Sequence, residues 1–306
     1  MSAAGETVRR LTISDIGRMF GDGERIAMLT AYDYPTARIL DDAGIPMLLV
    51  GDSLGQVMLG YESTIRVTMD EMLHHTKAVV RGTRRAVVIG DMPFLSYASI
   101  DEALENAGRF MRDGGAHGVK IEGGIRSART VEAMVKAGIP VMGHIGWTPQ
   151  SQHGLGGKVR VQGKTRDAAR ALLSDAVAIQ DAGAFSIVLE LVPEQLAAVI
   201  TSRLRIPTIG IGAGAGCAGQ VQVVTDLIGL GDFSPRHARR YADVQGTIAT
   251  AAQEWAADVV AGRFPGPEQT VRMDDAVLDE ALGRTADDRA APVDHSTTAI
   301  PLDRDL

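Results

Sequence analysis

Cysteine is almost absent. The single Cys217 in 306 residues excludes an intramolecular disulfide and fits a reducing compartment. Aromatic residues are scarce at 4%, which leaves few platforms for stacking nucleic-acid bases. Positive charge is in deficit. Lys and Arg number 31 against 38 Asp and Glu, a net charge of -7, where a nucleic-acid-binding face wants the opposite balance. Long apolar runs are missing too: stretches such as 45–50 and 86–89 fall far short of the roughly 20 residues of a membrane span. The N-terminal segment carries Arg9 and Arg10 but no apolar stretch of signal-peptide length. These absences predict a cytoplasmic chain with neither nucleic acid nor membrane as partner.

What is present is a large apolar fraction. Hydrophobic residues make up 45% and charged residues 23%, enough for a sizeable core and incompatible with global disorder. Short apolar bursts alternate with helical patterns. The bursts fall at 27–32, 47–52, 86–92, 118–122, 140–145, 186–191 and 207–212, with a weaker one at 221–226. Each has the length and β-branched content of a strand covered on both faces. Helical spacing runs through 34–43, 68–81, 100–113, 127–137 and 165–182, several of these closed by Gly44, Gly114, Gly138 or Gly183. Alternation of this kind makes a parallel sheet, and eight strands point to an α/β fold closed as a (β/α)₈ TIM barrel. An open doubly wound sheet is the alternative, lowered by the lack of a G-x-G-x-x-G turn after the first strand. Residues 1–10 read as a loose leader, with Ser14 as cap of an opening helix. Residues 11–283 read as one barrel domain ending in helices at 238–262 and 274–282, and 284–306 as a disordered tail.

In a barrel the chemistry sits where strands end. Strand two ends at Asp52 and Ser53, strand three at Asp91, strand five near His144; strand four carries Lys120 and Glu122, and strand six Glu190. Carboxylates gathered at an apolar mouth are costly unless a cation compensates them, and all-oxygen donors favour a hard ion. Asp52, Asp91 and Glu122 are therefore candidate Mg²⁺ ligands; the plainer reading makes each a surface or capping residue. Lys120 and Glu122, two apart, share one side of their strand, which suits either a charge beside the metal or a structural ion pair. Glu190 lies between Leu189 and Leu191, where desolvation would suit it as a general base. Ser53 either binds a substrate carboxylate or caps the next helix. His144 either donates to a substrate oxygen or is structural. The Gly-rich stretch 210–216 suits a phosphate cradle or a close backbone approach, and the long loop 148–164 suits a lid. His74 and His75 fall in a helix and read as structural. Cys217 has no evident His partner and is not offered as a nucleophile.

Several stretches are long and unusual. They include Leu49-Val50-Gly51-Asp52-Ser53-Leu54-Gly55, Gly90-Asp91-Met92-Pro93-Phe94, Val119-Lys120-Ile121-Glu122-Gly123-Gly124 and Gly143-His144-Ile145-Gly146-Trp147-Thr148-Pro149-Gln150-Ser151. With Leu189-Glu190 and Ile209-Gly210-Ile211-Gly212-Ala213-Gly214, the chain resembles the ketopantoate hydroxymethyltransferase family over about residues 11–262. The resemblance implies a barrel of the phosphoenolpyruvate/pyruvate type and Mg²⁺ held through Asp52, Asp91 and Glu122. It implies substrate contacts at Asp52, Ser53, Asp91, Lys120 and His144, with Glu190 as proton acceptor. The reaction implied is transfer of a hydroxymethyl group from 5,10-methylenetetrahydrofolate to 3-methyl-2-oxobutanoate, by a homo-oligomer of decameric type. Two rival readings keep the barrel: a C–C lyase or phosphomutase acting on an oxo acid, and a non-catalytic metal-stabilised scaffold.

Overall fold

The seven stronger apolar bursts each become a strand, and with an eighth the strands close on themselves in sequence order with all neighbours parallel. The computed structural model describes residues 9–284. Of the expected leader only Arg9 and Arg10 fall among these, and of the expected tail only Arg284; the rest of both segments lies outside the described residues. The chain forms two compact units, divided between Gln245 and Gly246.

The first unit is the barrel. Helix α1 (Ile13–Gly21) precedes β1 (Ile26–Thr30), α2 (Tyr34–Asp42) and β2 (Met47–Val50). The short α3 (Leu54–Val57) and α4 (Met69–Gly82) lead to β3 (Val87–Asp91), α5 (Ile100–Arg112) and β4 (Gly118–Glu122). Then come α6 (Ile125–Lys136), β5 (Val141–Gly146), α7 (Arg166–Asp181), β6 (Ser186–Glu190) and α8 (Glu194–Arg203). The barrel is completed by β7 (Thr208–Ile211), β8 (Gly219–Gln222) and α9 (Val224–Ile228). Two further helices follow, α10 (Val244–Val260) and α11 (Asp275–Leu282).

Side chains alternate across each strand, so one chain builds two cores. Met28, Met47, Leu49, Val87, Ile89, Met142, Val188, Ile209 and Val221 pack together inside the barrel, joined by Ile16 of α1. Met47 and Val87 are the first residues of their strands, so Ile16 seals the end where strands begin and leaves the other end to polar groups. The opposite strand faces, including Leu48, Val50, Val88, Val119 and Ile121, pack against the surrounding helices.

Four local expectations need correction. The cap of α1 is Thr12, not Ser14: Thr12 and Asp15 bond each other reciprocally as a capping box, which anchors the turn two residues earlier. After α5 the left-handed residue is Gly115 (φ 73°), one beyond Gly114. The eighth strand runs over Gly219–Gln222, and the apolar residues that suggested 221–226 open α9 instead. No helix joins β7 to β8, so the outer side of β8 is uncovered and carries the exposed Gln220 beside a groove of about 730 Å³. That polar alternation hides the strand from a search for apolar runs. The helix expected over 238–262 starts only at Val244. Before it, Tyr241 donates its backbone N–H to the carbonyl of Leu227, and Gln245 at the helix start donates to that of Gly229, holding the segment as a non-helical return.

The β3 edge carries a pH-sensitive bond. The Val88 N–H donates to His117 Nδ1 at 3.0 Å, so that nitrogen must stay unprotonated. Burial, helped by Arg10, holds His117 below its ordinary value. A histidine depressed in the folded state supports stability above its unfolded pKa and loses it as pH falls. The urea midpoint should therefore drop between about pH 7 and about pH 5, and His117→Asn should flatten the drop. Equal pH slopes in the two proteins would remove His117 as the cause.

Candidate active site

Strand register decides which side chains meet. In parallel neighbours, residues at the same level point to the same side. Asp91 lies level with Lys120, Glu122 with His144, and Gly146 with Glu190. The contacts follow. Lys120 Nζ is 2.6 Å from Asp91 Oδ1, His144 Nδ1 is 3.4 Å from Glu122 Oε1, and His144 Nε2 is 3.2 Å from Glu190 Oε2. Lys120 Nζ and His144 Nδ1 stand 3.5 Å apart. From β2 the chain turns so that the Asp52 backbone N–H donates to Asp91 Oδ2 at 3.2 Å. Thus Asp52, Asp91, Lys120, Glu122, His144 and Glu190 form one linked group at the barrel mouth. All but Glu190 are buried.

The electrostatics are those of excess negative charge in a dry place. Burial pushes Asp91 up to about 7, with Asp52 and Glu122 adding to the rise and Lys120 opposing it. Glu122 is likewise raised by burial, against the pull of His144. Burial alone would lower Lys120, but Asp91, Asp52 and Glu122 outweigh it and keep the ammonium charged. His144 is lowered by burial and by Lys120, yet its close pairing with Glu122 and Glu190 prevails and lifts it to about 9, so at neutral pH it carries a proton.

These donors fit a hard divalent cation. All are oxygens, they outnumber the cations beside them, and Glu122 Oε1 is buried without a hydrogen bond. Among the described residues no three His, Cys, Asp or Glu side chains converge as a ready-made cage. Mg²⁺ does not ask for one; it commonly takes one or two carboxylates and fills its shell with water and substrate oxygens. Asp52 and Asp91, linked directly, suit that role, with Glu122 across the mouth.

Two expectations change in detail. Glu190 is not engulfed by its leucine neighbours: its side chain retains 18% exposure because it ends β6 and faces the mouth, while Leu189 packs into the outer core. Immediately after it, Leu191 adopts φ 48°, a left-handed conformation unusual for a branched residue, which turns the chain off the sheet. Ser53 makes no helix-capping bond; its Oγ pairs with the Tyr32 hydroxyl at 2.9 Å. His75 is structural as expected, with Nδ1 2.6 Å from the carbonyl of Tyr32. The Gly-rich segment shows close packing: a Cβ on Gly214 would strike the Glu194 side chain.

The loop after β5 adds residues that the sequence reading missed. Gln150 is buried, and its backbone N–H donates to Glu122 Oε2 at 3.1 Å. Its Nε2 donates to Asp52 Oδ2 and to the Met92 carbonyl, each at 2.9 Å, and its Oε1 accepts from Tyr97 Oη at 2.5 Å. The same loop is held by Gln152 on Ser63 and by Gln162 on the carbonyl of Leu191. A lone Gln in a Gly-rich loop carries no periodic pattern that would single it out.

A closed parallel barrel of eight strands with acidic groups at the strands' C-terminal ends is the arrangement of a TIM-barrel enzyme site. Solved structures agree on the fold. Phosphoenolpyruvate phosphomutase from Streptomyces platensis matches with TM-score 0.55 at 15% identity, covering 89% of this chain and 96% of that one. A 2,3-dimethylmalate lyase of the PEP mutase/isocitrate lyase superfamily matches with TM-score 0.55 at 15% identity, covering 92% of this chain and 100% of that one. At such identities the likeness speaks to fold alone. The ketopantoate hydroxymethyltransferase family profile matches residues 10–267, and the chain belongs to that family. The 3-methyl-2-oxobutanoate hydroxymethyltransferase of Chloroflexus aurantiacus is 60% identical over 275 residues, covering 90% of this chain and 97% of that protein. The protein of the same name from Dehalococcoides mccartyi is 57% identical over 273 residues, covering 89% and 96%. The chain is thus a transferase enzyme; among the described residues no helix is long and apolar enough to cross a membrane.

Proposed function

We propose that this enzyme joins the one-carbon unit of 5,10-methylenetetrahydrofolate to C3 of 3-methyl-2-oxobutanoate, giving 2-dehydropantoate and tetrahydrofolate. Support comes from the names of the relatives and above all from one observation. The partly exposed carboxylate of Glu190 lies 3.2 Å from the ring of buried His144, beside a mouth carrying Lys120, Asp91 and Asp52.

Asp52 and Asp91, with Glu122, are the residues that would hold Mg²⁺. When bound, it supplies Lewis acidity toward the keto and carboxylate oxygens of the substrate. Lys120 provides a fixed charge for the developing enolate oxygen, and Ser53 a hydroxyl for the substrate carboxylate. His144, 3.2 Å from Glu190, holds that carboxylate in place. Glu190 takes the C3 proton. The C3 electron pair then forms a bond to the folate methylene carbon as the first of its two carbon–nitrogen bonds breaks, the freed nitrogen taking a proton. Water then supplies the hydroxyl oxygen as the second carbon–nitrogen bond breaks, its proton passing to that nitrogen, and folate leaves as tetrahydrofolate. No protein nucleophile is required, in keeping with the burial of Cys217.

The test is proton exchange. With Mg²⁺, 3-methyl-2-oxobutanoate and D₂O but no folate, NMR should show slow loss of the C3–H signal, stopped by a chelator. Adding 5,10-methylenetetrahydrofolate should yield the hydroxymethylated acid. If neither exchange nor product appears in the presence of Mg²⁺, the assignment of this substrate fails.

A further inference from the structure

We propose that Gln150, oriented by Tyr97, is a positioning residue that fixes the Asp52 carboxylate for the cation and locks the β5 loop to the acidic cluster. This rests on the metal-assisted reading above and deepens it.

The argument is one of hydrogen-bond supply. A glutamine amide offers two N–H donors and one acceptor oxygen. In Gln150 both ends are used: Nε2 gives one hydrogen to Asp52 Oδ2 and one to the Met92 carbonyl, while Oε1 receives the Tyr97 hydroxyl. Reversing the amide would set its oxygen against a carboxylate and a carbonyl, and its NH₂ against a hydroxyl already pointed at it. Tyr97 and Met92 therefore decide which way the amide faces, and the amide decides how Asp52 is held. Asp52 is also held through its own N–H on Asp91, so its backbone and one carboxylate oxygen are both fixed.

The same residue reaches a second acidic group. The Gln150 N–H donates to Glu122 Oε2, and the Tyr97 hydroxyl accepts from the Glu122 backbone N–H at 3.4 Å. One buried glutamine thus ties the ends of β2, β3 and β4 to the loop after β5. The loop cannot lift without releasing the Asp52 carboxylate. Groups that orient metal-binding side chains commonly change metal affinity about 10–100-fold when removed.

The experiment is Mg²⁺ titration by calorimetry on the full chain, with melting temperatures recorded alongside. Gln150→Leu keeps the approximate shape and removes the amide; it should weaken Mg²⁺ binding roughly 10–100-fold. Tyr97→Phe should weaken it less, and in the Gln150→Leu background it should have almost no further effect, since it acts through the amide. A purely structural role would lower the melting temperature and leave Mg²⁺ affinity alone, which would overturn the proposal. So would additive effects in the double variant. Should Gln150→Leu not fold, Tyr97→Phe alone decides, because unchanged Mg²⁺ affinity there is equally fatal. If the unmodified chain takes up no Mg²⁺, the metal reading itself falls. If it does and Gln150→Leu binds equally well, only the role of Gln150 falls.

Discussion

Glu190→Gln should bind the keto acid about as well as the parent and lower turnover by roughly 10²–10⁴-fold, the usual cost of losing a positioned general base. The substitution keeps the size of the side chain and its place beside His144, so the mouth retains its shape. What it removes is the ability to accept a proton. The C3–H exchange in D₂O should vanish with turnover, because both need the same proton transfer. That coincidence separates a base from a residue that merely binds folate, whose loss would spare exchange while reducing product. The structure sharpens the expectation. Glu190 alone among the site's acidic groups is partly exposed, while Asp52, Asp91 and Glu122 are buried in bonds with each other, Lys120, Gln150 or His144. Exchange at the parent rate in Glu190→Gln would transfer the base to another group and undo the mechanism.

The chain displayed its carboxylates more openly than their supports. Asp52, Asp91 and Glu190 were legible because each interrupts or ends an apolar strand, and a barrel gathers strand ends at one mouth. Lys120 and Glu122 were legible through their spacing of two, since alternation alone puts them on one side. Which carboxylate Lys120 would meet was not, because that depends on the register of β3 with β4, and the pair formed is with Asp91 rather than Glu122. Gln150 and Tyr97 were hidden for a stronger version of the same reason. The bonds they make span 98 and 53 residues, and no local pattern encodes the direction of an amide. The eighth strand was displaced because its outward residues are polar: Gln220 is exposed and Gln222 donates to the Arg239 carbonyl, and together they broke the apolar run that a buried strand would show. Expectations held where local pattern and tertiary environment coincide, and slipped where a distant neighbour set the outcome.

Lys120→Met should cost about 3–5 kcal/mol of stability, the range for breaking a buried ion pair by removing one partner. For a unit of this size that is a fall of roughly 6–20 °C in melting temperature. Methionine keeps most of the apolar stem, so lost packing contributes little. The cost comes from what remains: Asp91, with 2% of its side chain exposed, loses a cation 2.6 Å away while Asp52 and Glu122 stay close by. The sign with pH distinguishes this account from a packing defect. Asp91, already raised to about 7 beside the ammonium, should titrate higher still without it. Groups raised in the folded state give their full support at low pH and withdraw it as pH rises. The deficit of Lys120→Met should therefore be smaller in acid and grow as pH rises through about 7 and above, whereas a cavity would cost the same throughout. Mg²⁺ adds a second check. A divalent cation placed among the same oxygens would replace part of the missing charge, so saturating Mg²⁺ should raise the melting temperature of the variant more than that of the parent. A deficit independent of both pH and Mg²⁺ would mean that Lys120 is not the counter-charge of the acidic cluster.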